Sequence, residues 1–221
     1  MAAPGNTQRI VDSIASAISE RRLLPGTKLS EQHIGDLFAV SRTVVRQAFN
    51  QLSRDRLLVL EPARGAFVAK PTVEEARQVF EVRAMLESAI AQRLCAVITD
   101  AQIEQLRAHL QLEHAALGDA VATTRIQLLG DFHLVLARML GNEVLVQLLS
   151  DLLIRSSLIA LMYQSTHSAQ TSLDEHVAIV QALENRDAAS TQALMTEHLL
   201  NVLHQLNLDP HNQDLEHILK V

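Results

Sequence analysis

Three helical segments followed at once by a short β-hairpin occupy the first 70 residues, and that order constrains the fold more than any other feature of the chain. Residues 8–20 repeat Ile10, Ile14, Ala17 and Ile18 at helical spacing, 30–38 suits a short helix, and 41–53 sets Val45, Ala48, Phe49 and Leu52 on one face. Two β-prone runs come next at 57–60 and 66–69, joined by Glu61-Pro62-Ala63-Arg64-Gly65, where proline and glycine favour a reversal. Helix, helix, helix, hairpin predicts a winged helix-turn-helix with a small β-hairpin wing. At Lys70-Pro71-Thr72 the pattern breaks, because proline continues neither a ladder nor a helix while Thr72 can cap a helix beginning just after it. A domain boundary is expected there, dividing the chain into 1–70 and 71–221.

Downstream the chain reads as a series of helices. Thr72 with Glu75, Thr99 with Gln102 and Ser172 with Glu175 have capping-box spacing, and Asn142 and Asp187 suit single caps. They predict helices at 72–98, 100–117, 120–140, 143–165, 173–185 and 188–207, enough for an antiparallel all-α bundle, with a frayed tail from Asp209. Composition agrees with a mainly α protein, since 48% hydrophobic residues exclude disorder while 3% aromatics, 7 Gly and 5 Pro favour helix over sheet. No basic start leads into an apolar run, and no long uncharged apolar stretch occurs, so a soluble, cytoplasmic protein with no membrane partner is expected. The lone Cys95 has no partner for an internal disulfide and reads as a small buried hydrophobe.

The net charge of −6 conceals a split. Residues 1–70 carry ten Lys and Arg against six Asp and Glu, or +4, whereas 71–221 carry nine against nineteen, or −10. A basic module on an acidic body points to a nucleic-acid contact within the first 70 residues. The segment AVSRTVVRQAFNQL, 39–52, joins a tight turn to a helix whose opening turns display Ser41, Arg42, Thr43 and Arg46 opposite its apolar anchors. Arginines there suit guanine edges or phosphates, and the hydroxyls suit phosphates. Arg64 beside Gly65 at the hairpin tip suits an adjacent minor groove, and Gln32 and His33 on the preceding helix are weaker candidates. One module of such modest charge binds weakly, so a homodimer on a pseudo-palindromic double-stranded DNA operator is expected.

His133 shares a helical stripe with Leu129, Leu136, Ala137 and Leu140, His176 with Ile179, Val180 and Leu183, and His198 with Leu194 and Val202. An inward imidazole needs a partner, so three on separate helices suggest a shared metal or anionic ligand, the alternative being ordinary core histidines bonded to nearby carbonyls. Arg83 and Glu87, four apart near an apolar face, read as an ion pair or as part of such a pocket. Arg155 and Tyr163, eight apart on one helix face, are further lining candidates, while His109, His167, His211 and His217 read as surface positions.

PGTKLSE at 25–31, VSRTVVRQA at 40–48 and RGAFVAK at 64–70 resemble, in order, the signatures of the GntR family of bacterial regulators. Val44 stands where that family usually has proline, and Arg56 where it usually has glycine. EVRAMLE at 81–87, FHLVLARMLGN at 132–142, EHVAIVQALENRD at 175–187 and ALMTEHL at 193–199 resemble the FCD sensor domain of the FadR branch. The resemblance implies a ligand-responsive transcriptional regulator whose effector is a small carboxylate gripped by Arg83, with a divalent metal such as Zn or Ni on His133, His176 and His198. It also implies an Asp ligand one turn before the first histidine, where this chain has Leu129. Two rival readings are a constitutive DNA-binding dimer and a helical metalloenzyme, the latter without an H-E-x-x-H pairing to support it.

Overall fold

The computed structural model describes residues 5–20, 22–62, 64–117, 122–163 and 169–208. Among these residues the chain forms α1 (Asn6–Ser19), β1 (Lys28–Leu29), α2 (Glu31–Phe38), α3 (Arg42–Arg54), β2 (Leu58–Glu61) and β3 (Gly65–Val68). It continues through α4 (Val73–Val97), α5 (Asp100–Leu117), α6 (Ala122–Met139), α7 (Glu143–Met162), α8 (Ala169–Glu184) and α9 (Ala188–His204). The expected start of the helix at 120, the end at 165, the tail from Asp209, and His167, His211 and His217 lie outside the described residues.

The N-terminal module closes on the stripes read from the sequence. Ile10, Ile14 and Ile18 of α1 pack with Val45, Ala48, Phe49 and Leu52 of α3, and the sheet adds Leu58, Ala66 and Val68. Burying side chains of this size contributes about 1.5–3 kcal/mol each before entropy is counted. The sheet has one strand more than expected, because Leu29 pairs opposite Ala66 and gives the order β1-β3-β2, all antiparallel. Alternation on β3 turns Ala66 and Val68 inward and leaves Phe67 on the other face, opposite Val59. Gly35 permits the tight α2–α3 turn, since a Cβ there would meet the Val40 carbonyl oxygen at 3.1 Å.

Arg56, two residues beyond the end of α3, adopts a left-handed φ of 58°, and Leu57 N–H bonds the Leu52 carbonyl at 2.9 Å. A side chain is strained in this conformation by about 1–2 kcal/mol, against roughly 0.5–1 kcal/mol of extra chain entropy for glycine. Arg56 is exposed, so Arg56→Gly sacrifices no packing. It is expected to raise stability by about 0.5–1 kcal/mol, read as a higher urea midpoint at unchanged slope. An unchanged or lower midpoint would show that the arginine is unstrained.

Four of the five expected caps form. Thr72 accepts from Glu75 N–H at 3.1 Å, and Thr99 and Gln102 bond reciprocally at 2.9 and 3.3 Å. Asn142 and Asp187 accept from Leu145 and Ser190 N–H at 3.2 and 3.0 Å. The exception is Ser172, which lies buried inside α8, because that helix already runs from Ala169. The C-terminal bundle has its main core around Leu94, Leu106, Phe132, Leu136, Leu149, Ile179, Leu183 and Leu199. Helix α7 joins the two modules, with Leu149 in that core and Leu158 fully buried in the cluster of Ile10, Ile14 and Ile18.

Candidate functional site

On α3 the apolar anchors face inward, and Arg42, Thr43, Arg46, Gln47 and Asn50 are all exposed on the outer side. Gln47 and Asn50 were not singled out from sequence, although helical spacing places Asn50 one turn beyond Arg46. Ser41 caps the helix in extended conformation without spending its hydroxyl on a cap bond. The arginines rest on α2, where Arg42 Nε donates to Gln32 Oε1 at 2.9 Å and Arg46 Nε reaches both Glu31 oxygens at 2.9 Å. At the wing, Arg64 pairs with Glu61 and lies 5.2 Å from the centroid of the Phe67 ring. Gly65 has a φ of 106°, the left-handed region that glycine tolerates, which allows the reversal before β3.

The second constellation lies within the bundle. His133 comes from α6, His176 from α8 and His198 from α9, and one nitrogen of each ring lies within 4.8 Å of the others. Each ring carries a carboxylate at Nδ1. Glu113 of α5 sits 3.0 and 3.2 Å from His176 Nδ1, and Glu175 lies 2.6 Å from His198 Nδ1. Glu87 of α4 touches His133 Nδ1, and neither of those two atoms has a partner elsewhere among the described residues. Phe132 stacks on His176 with centroids 3.9 Å apart.

A carboxylate at Nδ1 keeps a proton on that nitrogen and presents the Nε2 lone pair, the form in which histidine binds a metal. His176 Nε2 is buried with no hydrogen-bond partner among the described residues, as a ligand atom waiting for an electrophile would be. Burial is the largest influence on all three histidines and pushes their pKa values down, against the opposing pull of Glu87, Glu113 and Glu175. His198 is held down to about 4, so these rings are neutral at physiological pH.

Charge points the same way. With the rings neutral, Arg83 (+1) and the carboxylates Glu87, Glu113 and Glu175 (−3) sum to −2, a balance that suits a divalent cation. His109 offsets at most one of these charges. It is not the surface residue expected, for its side chain is 11% exposed and its Nε2 lies 3.1 Å from Glu113 and 3.0 Å from the Leu128 carbonyl. Burial pulls its pKa down, but Glu113 outweighs that and leaves it raised.

Arg83 is buried beside this cluster. Its Nε donates to Glu87 Oε1 at 2.7 Å, and that is its one hydrogen bond among the described residues, so the ends of its guanidinium are available to an anion. Its charge also acts on His133 and His198. Arg155 and Tyr163 have different contacts: Arg155 Nη2 donates to Glu75 Oε1 at 2.6 Å, and the Tyr163 hydroxyl to the Pro71 carbonyl at 2.9 Å. Both therefore fasten α7 to the start of α4, and neither has a contact with the histidines among the described residues.

Sequence reasoning missed Glu113, Glu175 and His109. Glu113 carried a readable signal, an acid in register with Ile103, Leu106 and Leu110 on the apolar stripe of α5. Glu175 is one residue from His176 but serves His198 through the fold, which spacing alone does not reveal.

Comparison with known proteins agrees with both halves. Residues 6–68 match the family described as bacterial regulatory proteins, gntR family, and residues 78–201 match the FCD domain. An Escherichia coli HTH-type transcriptional regulator, YdfH, is 28% identical, covering 90% of this chain and 88% of its own. The E. coli HTH-type transcriptional repressor RspR is 28% identical, covering 81% and 79%. The solved structure of E. coli McbR/YncC superposes with a TM-score of 0.80 at 18% identity over 92% of this chain and 99% of that one, a likeness of fold. No helix among the described residues is long and apolar enough to cross a membrane. The chain belongs to the gntR family of bacterial regulatory proteins, with an FCD domain forming its C-terminal part.

Proposed function

We propose that this protein is a cytoplasmic transcriptional repressor, with residues 1–70 gripping operator DNA and residues 71–221 sensing a small carboxylate. The exposed stripe of Arg42, Thr43 and Arg46 on a helix anchored by four buried residues carries the reading. Arg42 and Arg46 take base edges or phosphates in the major groove, Ser41 and Thr43 hold phosphates, and Gln32 steadies Arg42. Arg64 and Gly65 bring the wing to the neighbouring minor groove. Two copies of the chain related by a two-fold axis read a pseudo-palindrome.

In the sensor, His133, His176 and His198 hold a divalent ion, Zn or Ni, and Glu87, Glu113 and Glu175 orient them. The ion supplies a Lewis-acidic centre for a carboxylate, and Arg83 steers the anion there. Arg155 and Tyr163 line no part of that centre in this reading; they transmit, because α7 reaches from the sensor core to Leu158 under the DNA-binding module. A ligand that favours one placement of α7 shifts the population of DNA-binding arrangements.

Selection from a random duplex library with the full chain tests the reading. Enrichment of one pseudo-palindrome is expected, with its affinity changed at least about fivefold by zinc plus one of a panel of small carboxylates. No enrichment of any sequence would overturn the DNA-binding assignment, and enrichment without any carboxylate effect would overturn the sensor assignment.

A further inference from the structure

The two-residue strand β1 brings to the wing a side chain that the hairpin alone does not supply. Lys28 of β1 stands directly opposite Phe67 of β3, and Phe67 stands opposite Val59 of β2, so the three make one row across the outer face of the sheet. Val59 is 48% exposed, Phe67 is half-buried, and Lys28 is exposed.

Two cations converge on the Phe67 ring. The Lys28 ammonium nitrogen lies 6.0 Å from its centroid, and the Arg64 guanidinium carbon lies 5.2 Å away. The stem of Lys28 also runs beside the hairpin tip, since a Cβ on Gly65 would lie 3.7 Å from Lys28 Cε. An aromatic ring holds an exposed cation by about 0.5–1 kcal/mol, enough to bias where a flexible lysine rests.

Charge then decides what this face attracts. Arg46 and Arg64 each have an acid beside them, Glu31 and Glu61, whereas Lys28 has no acidic partner among the described residues. Around the ring, two cations against the single acid Glu61 leave +1. The minor groove is about 6 Å wide and is bordered on both sides by phosphates. With Arg64 aimed into such a groove, a second cation on the same ring comes within reach of the bordering backbone.

We propose that the outer face of the sheet is a phosphate-binding surface for duplex DNA, in which Phe67 positions Lys28 beside Arg64 and Lys28 takes a backbone phosphate bordering the groove that the tip approaches. This rests on the reading of residues 1–70 as a DNA-binding module. A phosphate contact carries no sequence information, so Lys28 adds affinity for every duplex alike.

Fluorescence anisotropy of the full chain on its selected duplex and on a random-sequence duplex of equal length, across a salt series, tests this. Lys28→Ala is expected to weaken both by the same factor, about fivefold per protomer at about 0.15 M salt, and to reduce the slope of log affinity against log salt by about one per protomer. Lys28→Arg is expected to restore both, since arginine also rests on an aromatic ring and pairs with phosphate. Phe67→Leu keeps the row apolar but removes the ring. It is expected to weaken binding at least about twofold more in the wild-type background than in the Lys28→Ala background, a coupling that a purely structural role would not produce. Should Phe67→Leu fail to fold, the two variants at the exposed Lys28 still decide. Lys28→Ala with wild-type affinity and slope overturns the proposal and leaves the face to solvent or to a protein partner. A loss confined to the selected duplex overturns it too, because bases rather than phosphates would then be read. Both results leave the DNA-binding reading standing, whereas wild-type protein that binds neither duplex overturns that reading and this proposal together.

Discussion

Replacing Glu87 by alanine is expected to cost about 3–5 kcal/mol of stability, because it removes the partner of a buried guanidinium. The Arg83 side chain is 5% exposed, and its hydrogen bond to Glu87 is 2.7 Å long. Without the carboxylate, the cation remains in an interior that cannot hydrate it, and His133 loses the acid at its Nδ1. Removing both charges together, with Arg83→Met and Glu87→Leu, is expected to recover most of that loss, since an apolar pair of similar volume often replaces a buried ion pair without penalty. Urea midpoints at constant slope measure both changes. A loss below about 1 kcal/mol for Glu87→Ala, the size seen for solvated pairs, would mean that water reaches Arg83.

The same cluster sets the response to acid, in two steps. Burial alone would push the Glu87 carboxyl up, but Arg83 and His133 outweigh it and hold it at about 2, against an ordinary 4.5. An acid so depressed stabilises the fold above pH 4.5 and loses that contribution as pH falls toward 2. The histidines act earlier. His198 falls from 6.5 to about 4, chiefly through burial, so its unfolded form takes up a proton first and stability declines across that interval. His133 and His176 shift in the same direction. Metal-free protein whose stability stays flat between about pH 7 and about pH 5 would contradict three buried neutral rings.

Much of this architecture was legible in the sequence because its signals are local and periodic. The stripes of α1 and α3 and the caps at Thr72, Thr99, Asn142 and Asp187 each depend on residues within two turns of one another. So does the inward direction of the three histidines. The illegible part depends on distant pairing. Strand β1 is two residues long, and only its register against β3 makes it a strand. Ser172 and Glu175 have the spacing of a cap but occupy the interior of α8, where Glu175 instead reaches across 23 residues to His198. Arg155 and Tyr163 share a face of α7, as their spacing required, yet periodicity does not say which neighbour that face meets, and here it meets the start of α4.

Arg42→Ala and Arg46→Ala are each expected to weaken specific duplex binding by about 1–3 kcal/mol per protomer, and twice that in a two-fold pair. Neither side chain supports the fold, since both are exposed, so circular dichroism and urea midpoints should stay unchanged. The structure adds a test of opposite sign. Arg46 Nε is shared between both oxygens of Glu31, and on the proposed reading DNA would have to draw the arginine away from that acid. Glu31→Gln removes that competition and a negative charge together, so it is expected to tighten binding to any duplex, with the largest gain at low salt. Gln32→Ala releases Arg42 from a neutral partner, which alters no charge, and is expected to leave the salt dependence as it was. Fluorescence anisotropy across a salt series separates these outcomes. If the arginine variants bind as tightly as wild type while Glu31→Gln gains nothing, α3 is not the element that enters the groove.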